Sequence, residues 1–413
     1  MRALSALMVT VLSACATIDR DAARPPNVVM IISDDQAWTD FGFMGHEEIQ
    51  TPHLDALAAR SLVFERGYVP SSLCRPSLAT MITGLYPHEH GITGNDPPKG
   101  AARERMLRHI DAAQTLPKLL APRGYESLQT GKWWEGNCRC GGFTAGMTHG
   151  ERERGGRHGD EGLKIGRKTM QPIYDFLADR GDAPFLLWYA PFLPHSPHNP
   201  PERLLAKYRR DGKSLHVAKY HAMCEWFDET CGALLDHLEE QGLTEDTIVV
   251  FVADNGWIQR ENARGFAPRS KRSPYEGGVR TPIMLSWPGR ITPGVSDAYA
   301  SSVDLAPTLL RACGVAPPTA MSGKDLLDGG DPRGEVYGET FSHDVADLDQ
   351  PTKGLQSRWM IRGGWKLIAP QRGDRAAELY HLGADPNERV DLAGREPARV
   401  AAMQRALDAW WRL

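Results

Sequence analysis

The chain has 413 residues, with 48 Lys+Arg against 52 Asp+Glu and a formal net charge of −4. That length can bury one large α/β domain plus a smaller one. The near balance of charge excludes a partner held by bulk electrostatics, whether nucleic acid or an anionic membrane surface, so a polyanionic substrate needs a local basic pocket.

The N-terminus opens with Met1-Arg2 and an apolar run from Ala3 to Leu12. The run has the length of a signal-peptide core and is too short to span a bilayer. It ends in Leu12-Ser13-Ala14-Cys15, which resembles a bacterial lipobox with Cys15 as the lipidated residue. Residues 1–14 are therefore expected to be a signal peptide, and the protein periplasmic and lipid-anchored; the alternative is an ordinary secreted protein. Disulfides are permitted in that compartment. Cys224 and Cys231 are two turns apart on a helical pattern, roughly 10 Å by rise, and cannot easily bridge each other. Cys138 and Cys140 flank Arg139 in a Gly-rich loop, as a strained pair or as partners of other cysteines. No second closely spaced ligand pair supports zinc.

Asn27 to Ser33 is a continuous apolar run, as expected of a strand covered on both faces. It ends in Asp34-Asp35, either a turn or a metal site at the carboxyl end of a strand. Thr247 to Ala253 repeats the pattern and ends in Asp254-Asn255-Gly256. Two strands that deliver oxygen ligands to one edge suit a hard cation such as calcium. Three further strand-like segments lie between them. Leu62 to Val69 leads into Ser71–Gly84, Glu126 to Thr130 into Lys132, and Phe185 to Ala190 into His195 and His198.

The stretch from Ser71 to Gly84 reads as a short helix: Pro76 suits its first turn, Leu78, Met81 and Ile82 form an apolar stripe, and Gly84 suits the position after its end. Cys74 is expected just before the first turn, where free N–H groups and the helix dipole lower a thiol's pKa. The same spacing also fits a half-buried Cys with no role. Residues 136–168, with Arg152, Arg154, Arg157, His158 and Lys164, read as a solvated loop or as the wall of an anion pocket. From Leu204 to Gln241 the pattern is helical, with Tyr220, Cys224, Phe227, Cys231, Leu234 and Leu238 as its core stripe. A composition shift at Gly329-Gly330-Asp331-Pro332 marks a boundary. Beyond it, Glu339, His343 and Asp344 read as a polar loop or as groups leaning into the pocket. Trp359–Arg362, Trp365–Ile368 and Glu378–Leu382 then look like strands, and about Glu396 to Trp411 like a helix.

Cys74, Pro76, Ser77, Thr83 and Gly84 resemble the C-x-P-S-R-x-x-x-x-T-G signature of the type I sulfatases, with Leu78 where the family has Arg. Several other segments follow in the family's order, from about residue 27 to the end. The resemblance implies that Cys74 is converted by a formylglycine-generating enzyme into the nucleophile. It implies that Asp34, Asp35, Asp254 and Asn255, with the modified Cys74, bind calcium. Lys132 stands in a Gly-Lys-Trp run whose following His is here Trp134, with His149 a candidate substitute. His195, before Ser196-Pro197, resembles the family's His-x-Pro that meets the bridging oxygen. Lys271, opening the segment to Pro282, resembles the second sulfate-binding lysine, while Glu276 and Arg280 are read as structural.

The implied fold is alkaline-phosphatase-like α/β. A large, mostly parallel central sheet flanked by helices is expected over 27–332, and a small antiparallel-sheet subdomain over 333–413. The implied activity is sulfuric ester hydrolysis, with a sulfated carbohydrate as the expected substrate. The alternatives are a phosphate or phosphonate monoester hydrolase of the same superfamily, or a catalytically silent glycan-binding lipoprotein.

Overall fold

Eight strands form the central sheet: β1 (Asn27–Ser33), β2 (Leu62–Tyr68), β3 (Glu126–Gly131), β4 (Ala145–Gly146), β5 (Phe185–Ala190), β6 (Thr247–Ala253), β7 (Arg280–Ser286) and β8 (Gly294–Ser301). The computed structural model describes residues 25–151, 156–328, 333–371, 373 and 375–413. Residues 1–14, read above as a signal peptide, Cys15, Arg152, Arg154 and the boundary at 329–332 fall outside the described residues. The strand order is β4-β3-β5-β1-β6-β7-β2-β8. All neighbours run parallel except β7, which is antiparallel to both β6 and β2.

The apolar run of β1 is continuous because alternate residues enter two different cores. Val28, Met30 and Ile32 pack on one face with Trp188, Val250 and the Cys74–Thr83 helix, through Leu78, Met81 and Ile82. Val29 and Ile31 pack on the other with Leu187, Phe251 and the Leu215–Glu240 helix, through Met223, Phe227, Cys231, Leu234 and Leu238. A strand with cores on both faces has no solvent side on which to alternate polar residues.

A second sheet, order β12-β11-β10-β9, is antiparallel: β9 (Glu335–Phe341), β10 (Leu355–Arg362), β11 (Trp365–Pro370) and β12 (Glu378–His381). The Pro397–Trp410 helix covers it, placing Met403 and Leu407 against Met360, Leu367 and Leu379. The buried Lys366 of β11 pairs with Glu276 and Glu388 at 2.9 and 3.0 Å, tying this sheet to the segment before β7. The α/β architecture and the small antiparallel sheet match the sequence expectation. β8 and β9 were not expected, since both interleave Gly and polar residues with their apolar positions.

Among the described residues all six cysteines are free, Cys138 and Cys140 included. No described helix is long and apolar enough to cross a membrane.

Candidate active site

One edge of the central sheet collects the polar ends of five strands. β1 and β6 are parallel neighbours in a register that pairs Ser33 with Ala253, so Asp34 and Asp254 leave the sheet side by side. Asp35 adopts φ 63°, a left-handed conformation that turns the chain after Asp34. Its N–H donates to Asp254 Oδ1 at 3.0 Å. Gly131 ends β3 at φ 77°, where an added Cβ would lie 1.9 Å from the Ala190 carbonyl oxygen, so only Gly lets Lys132 turn in there. Because β7 runs antiparallel, the segment before it arrives at the same edge and brings Lys271 with it.

These groups meet around Cys74. The Lys132 Nζ contacts Asp34 and lies 3.3 Å from Asp254 Oδ2. The Lys271 Nζ donates to Asp35 Oδ1 at 2.5 Å and lies 3.1 Å from Cys74 Sγ. Asn255 Nδ2 donates to Asp35 Oδ1 at 2.6 Å. His195 places Nε2 3.4 Å from Asp35 Oδ2, and its Nδ1 meets the Ser196 carbonyl at 2.5 Å. A carbonyl only accepts, so Nδ1 carries the proton and Nε2 faces the carboxylate.

The carboxylate and amide oxygens collected here suit a hard cation. One ligand atom from each of Asp34, Asp35, Cys74 and His195 lies within 4.8 Å of the others. Asp34 Oδ2, Asp35 Oδ2 and Asn255 Oδ1 are buried and find no hydrogen bond among the described residues. Buried oxygens left without a donor are costly, and Asp34 and Asp35 each offer an oxygen close enough together to share a cation. Asp254 is more fully engaged, with one oxygen on the Asp35 N–H and the other beside Lys132.

Burial governs the titration of the site. It raises the Asp34 carboxyl well above its ordinary range, against the pull of Lys132. Burial opposes ionisation of Asp35 too, but the Lys271 ammonium and His195 outweigh it and hold that carboxyl low. The Cys74 thiol is pushed up to about 12 by burial, although Lys132 and Lys271 pull the other way. The expected lowering by the helix terminus is therefore overturned. Cys74 is the first residue of its helix, not the one before it, and desolvation exceeds the dipole's effect.

The surroundings differ from the sequence reading in one candidate. His149 is exposed, and among the described residues only its backbone is engaged: its N–H donates to Asp160, and its carbonyl accepts from Asn137 at 3.3 Å. It does not stand in for the family's His. His158 comes closer, with its ring 5.3 Å from Trp134 and 5.1 Å from Phe192, which itself stacks on His195 at 4.1 Å. Leu78, at the position of the family's Arg, is buried in the core beneath the sheet edge. The sequence reading passed over the buried Arg75, whose Nε and Nη2 donate to Glu135 at 2.6 and 2.7 Å. That pair joins the Cys74 helix to the loop after β3. Its only trace in the sequence is an acidic residue directly after Trp134.

Comparison with known proteins finds a family match over most of the chain. The Sulfatase family model matches residues 26–315, and a second model, N-sulphoglucosamine sulphohydrolase, C-terminal, matches 266–409. The chain is 32% identical to human Arylsulfatase A over 354 residues, 74% of this chain and 67% of that one. It is 31% identical to N-acetylgalactosamine-6-sulfatase of Canis lupus familiaris, over 96% of this chain and 87% of the relative. The structure of BT4656 in complex with its substrate D-glucosamine-2-N,6-O-disulfate superposes with TM-score 0.76 at 21% identity, covering 94% of this chain and 98% of that one, a likeness of fold. By its sequence matches from residue 26 to 409, the chain belongs to the sulfatase family of the alkaline-phosphatase-like superfamily and is a sulfuric ester hydrolase.

Proposed function

We propose that this sulfatase removes sulfate from a sulfated carbohydrate, with Cys74 converted to formylglycine and calcium held by Asp34, Asp35, Asp254 and Asn255. The observation that carries the reading is the trio of buried, unpartnered oxygens on Asp34, Asp35 and Asn255 beside Cys74, with two ammonium groups in reach. Burial pushes the thiol itself up to about 12, which disfavours an unmodified thiolate as the reacting group. When present, the two groups supply a hydrated-aldehyde nucleophile and a Lewis acid that polarises the sulfate oxygens.

The chain's own residues do the rest. Lys132 and Lys271 bring two fixed positive charges to balance the sulfuryl oxygens, and their burial strengthens that effect. His195 takes up a proton at Nε2 and passes it to the departing alcohol oxygen; its Nδ1 bond to the Ser196 carbonyl holds the ring in place for this. Sugar sulfates are named as substrates for similar proteins, among them N-acetylglucosamine-6-O-sulfatase of Bacteroides thetaiotaomicron. Export and lipid anchoring at Cys15 complete the proposal.

The test is mass spectrometry of the Cys74 peptide from protein made in its native host, with turnover measured on the same sample. An aldehyde at Cys74 in active protein is expected. A thiol in fully active protein refutes the conversion.

A further inference from the structure

The loop that carries His195 is short of the means to hold itself. It contains Pro191, Pro194, Pro197, Pro200 and Pro201, none of which has an N–H to donate. Few of its own groups can donate, beyond the Leu193 N–H to the Pro191 carbonyl and His195 Nδ1 to the Ser196 carbonyl, and the side chain of Arg167 reaches two further carbonyls. Its Nε donates to the Phe192 carbonyl at 2.7 Å and its Nη2 to the His195 carbonyl at 2.8 Å. The remaining fork arm, Nη1, donates to Asn199 Oδ1 at 2.7 Å. The guanidinium also lies over the Phe192 ring at 5.5 Å and the Trp226 ring at 5.7 Å.

Arg167 is itself well anchored. It sits in a tight turn in which Lys168 N–H donates to the Lys164 carbonyl at 2.8 Å and Gly166 N–H to the Thr169 carbonyl at 3.0 Å. Phe192 matters because the His195 ring stacks on it at 4.1 Å and 29°. One planar side chain thus pins the backbone of the histidine, the backbone of the ring beneath it, and the far end of the loop. A lysine offers one nitrogen and cannot reproduce that fork.

We propose that Arg167 is a positioning residue for His195: it aims Nε2 at the bridging oxygen and so governs protonation of the leaving alcohol. This rests on the sulfatase reading of the site. Arg167 touches no reacting atom, so its signature is a dependence on leaving group. An alkyl or sugar alcohol needs the proton as it departs, whereas nitrophenolate departs almost without it.

The experiment compares wild type, R167A, R167K, H195A and the R167A/H195A double variant on a monosulfated sugar and on nitrophenyl sulfate. R167A is expected to lose roughly a hundredfold in kcat on the sugar sulfate, the scale of general-acid catalysis, and only a few-fold on nitrophenyl sulfate. R167K, which is the fallback if R167A does not fold, should share the pattern. The double variant should be no slower than H195A alone. Equal losses on both substrates, or losses that multiply in the double variant, overturn the positioning role while the sulfatase reading stands. A correctly modified, calcium-loaded wild type that hydrolyses neither substrate overturns both.

Discussion

The Nζ of Lys271 stands 3.1 Å from the Sγ of Cys74, and the same ammonium donates to Asp35 Oδ1. Lys271 therefore touches Cys74 and a carboxylate of the buried acidic cluster at once. Replacing it with Ala removes a buried positive charge from both. Turnover on an aryl sulfate should fall about 10²–10³-fold, the scale seen when one stabilising donor is lost from an active site. Steady-state kinetics of K271A against wild type measure this, and unchanged kcat would remove Lys271 from the mechanism.

The two lysines also bear on what happens without the cation. Asp34, Asp35 and Asp254 each have an ammonium partner already, so stripping divalent ions leaves no carboxylate facing only other carboxylates. A chelator should abolish turnover while far-ultraviolet circular dichroism stays native. Returning calcium at a hundredfold excess over its Kd should add about 2.7 kcal/mol of stability, visible as a higher melting temperature. Global unfolding on chelation would contradict this.

The Arg75–Glu135 pair makes a prediction about stability. Arg75 is 1% exposed and also donates to the Gly94 and Met106 carbonyls at 3.1 Å each. E135A strands that guanidinium in the interior, which costs about 3–5 kcal/mol when a buried pair loses one partner. Denaturant titration of E135A against wild type gives the difference directly. A loss below 1 kcal/mol would mean that water or another acceptor reaches Arg75.

Asp40 supplies a pH dependence whose sign follows from its burial. Desolvation pushes its carboxyl up to about 6, against the opposing hydrogen bond from the Tyr220 hydroxyl. The native state therefore keeps a proton that the unfolded chain has released, over the window from about pH 4 to pH 6. Stability contributed by this group is full below that window and is lost as pH rises through it, on the order of 3 kcal/mol. D40N cannot ionise and should escape that loss, gaining on wild type between pH 4.5 and pH 7 in paired denaturation curves. A pH-independent difference between the two proteins would show that Asp40 titrates normally.

Much of the architecture was legible in the chain because its signals are local. A seven-residue apolar strand that ends in Asp34-Asp35, and another that ends in Asp254-Asn255, show buried parallel strands and an acidic sheet edge within a few residues each. The Cys74 helix shows its stripe and its terminating Gly84, which adopts φ 63°. What the sequence left open depends on partners far apart in the chain. The antiparallel direction of β7, which delivers Lys271 to the edge, follows from how it pairs with β6 and β2, and nothing within the strand encodes it. The Cys74 pKa was misjudged because burial is set by everything packed around the thiol, while the helix dipole can be read from one turn. Arg75 finds Glu135 sixty positions away, and Arg167 reaches His195 across twenty-eight. Residue types and local periodicity thus determined the elements and the chemical inventory of the edge. Only the tertiary structure decided which charges meet, because a hydrogen bond or ion pair acts over a few ångströms while the chain separation between its partners is unconstrained.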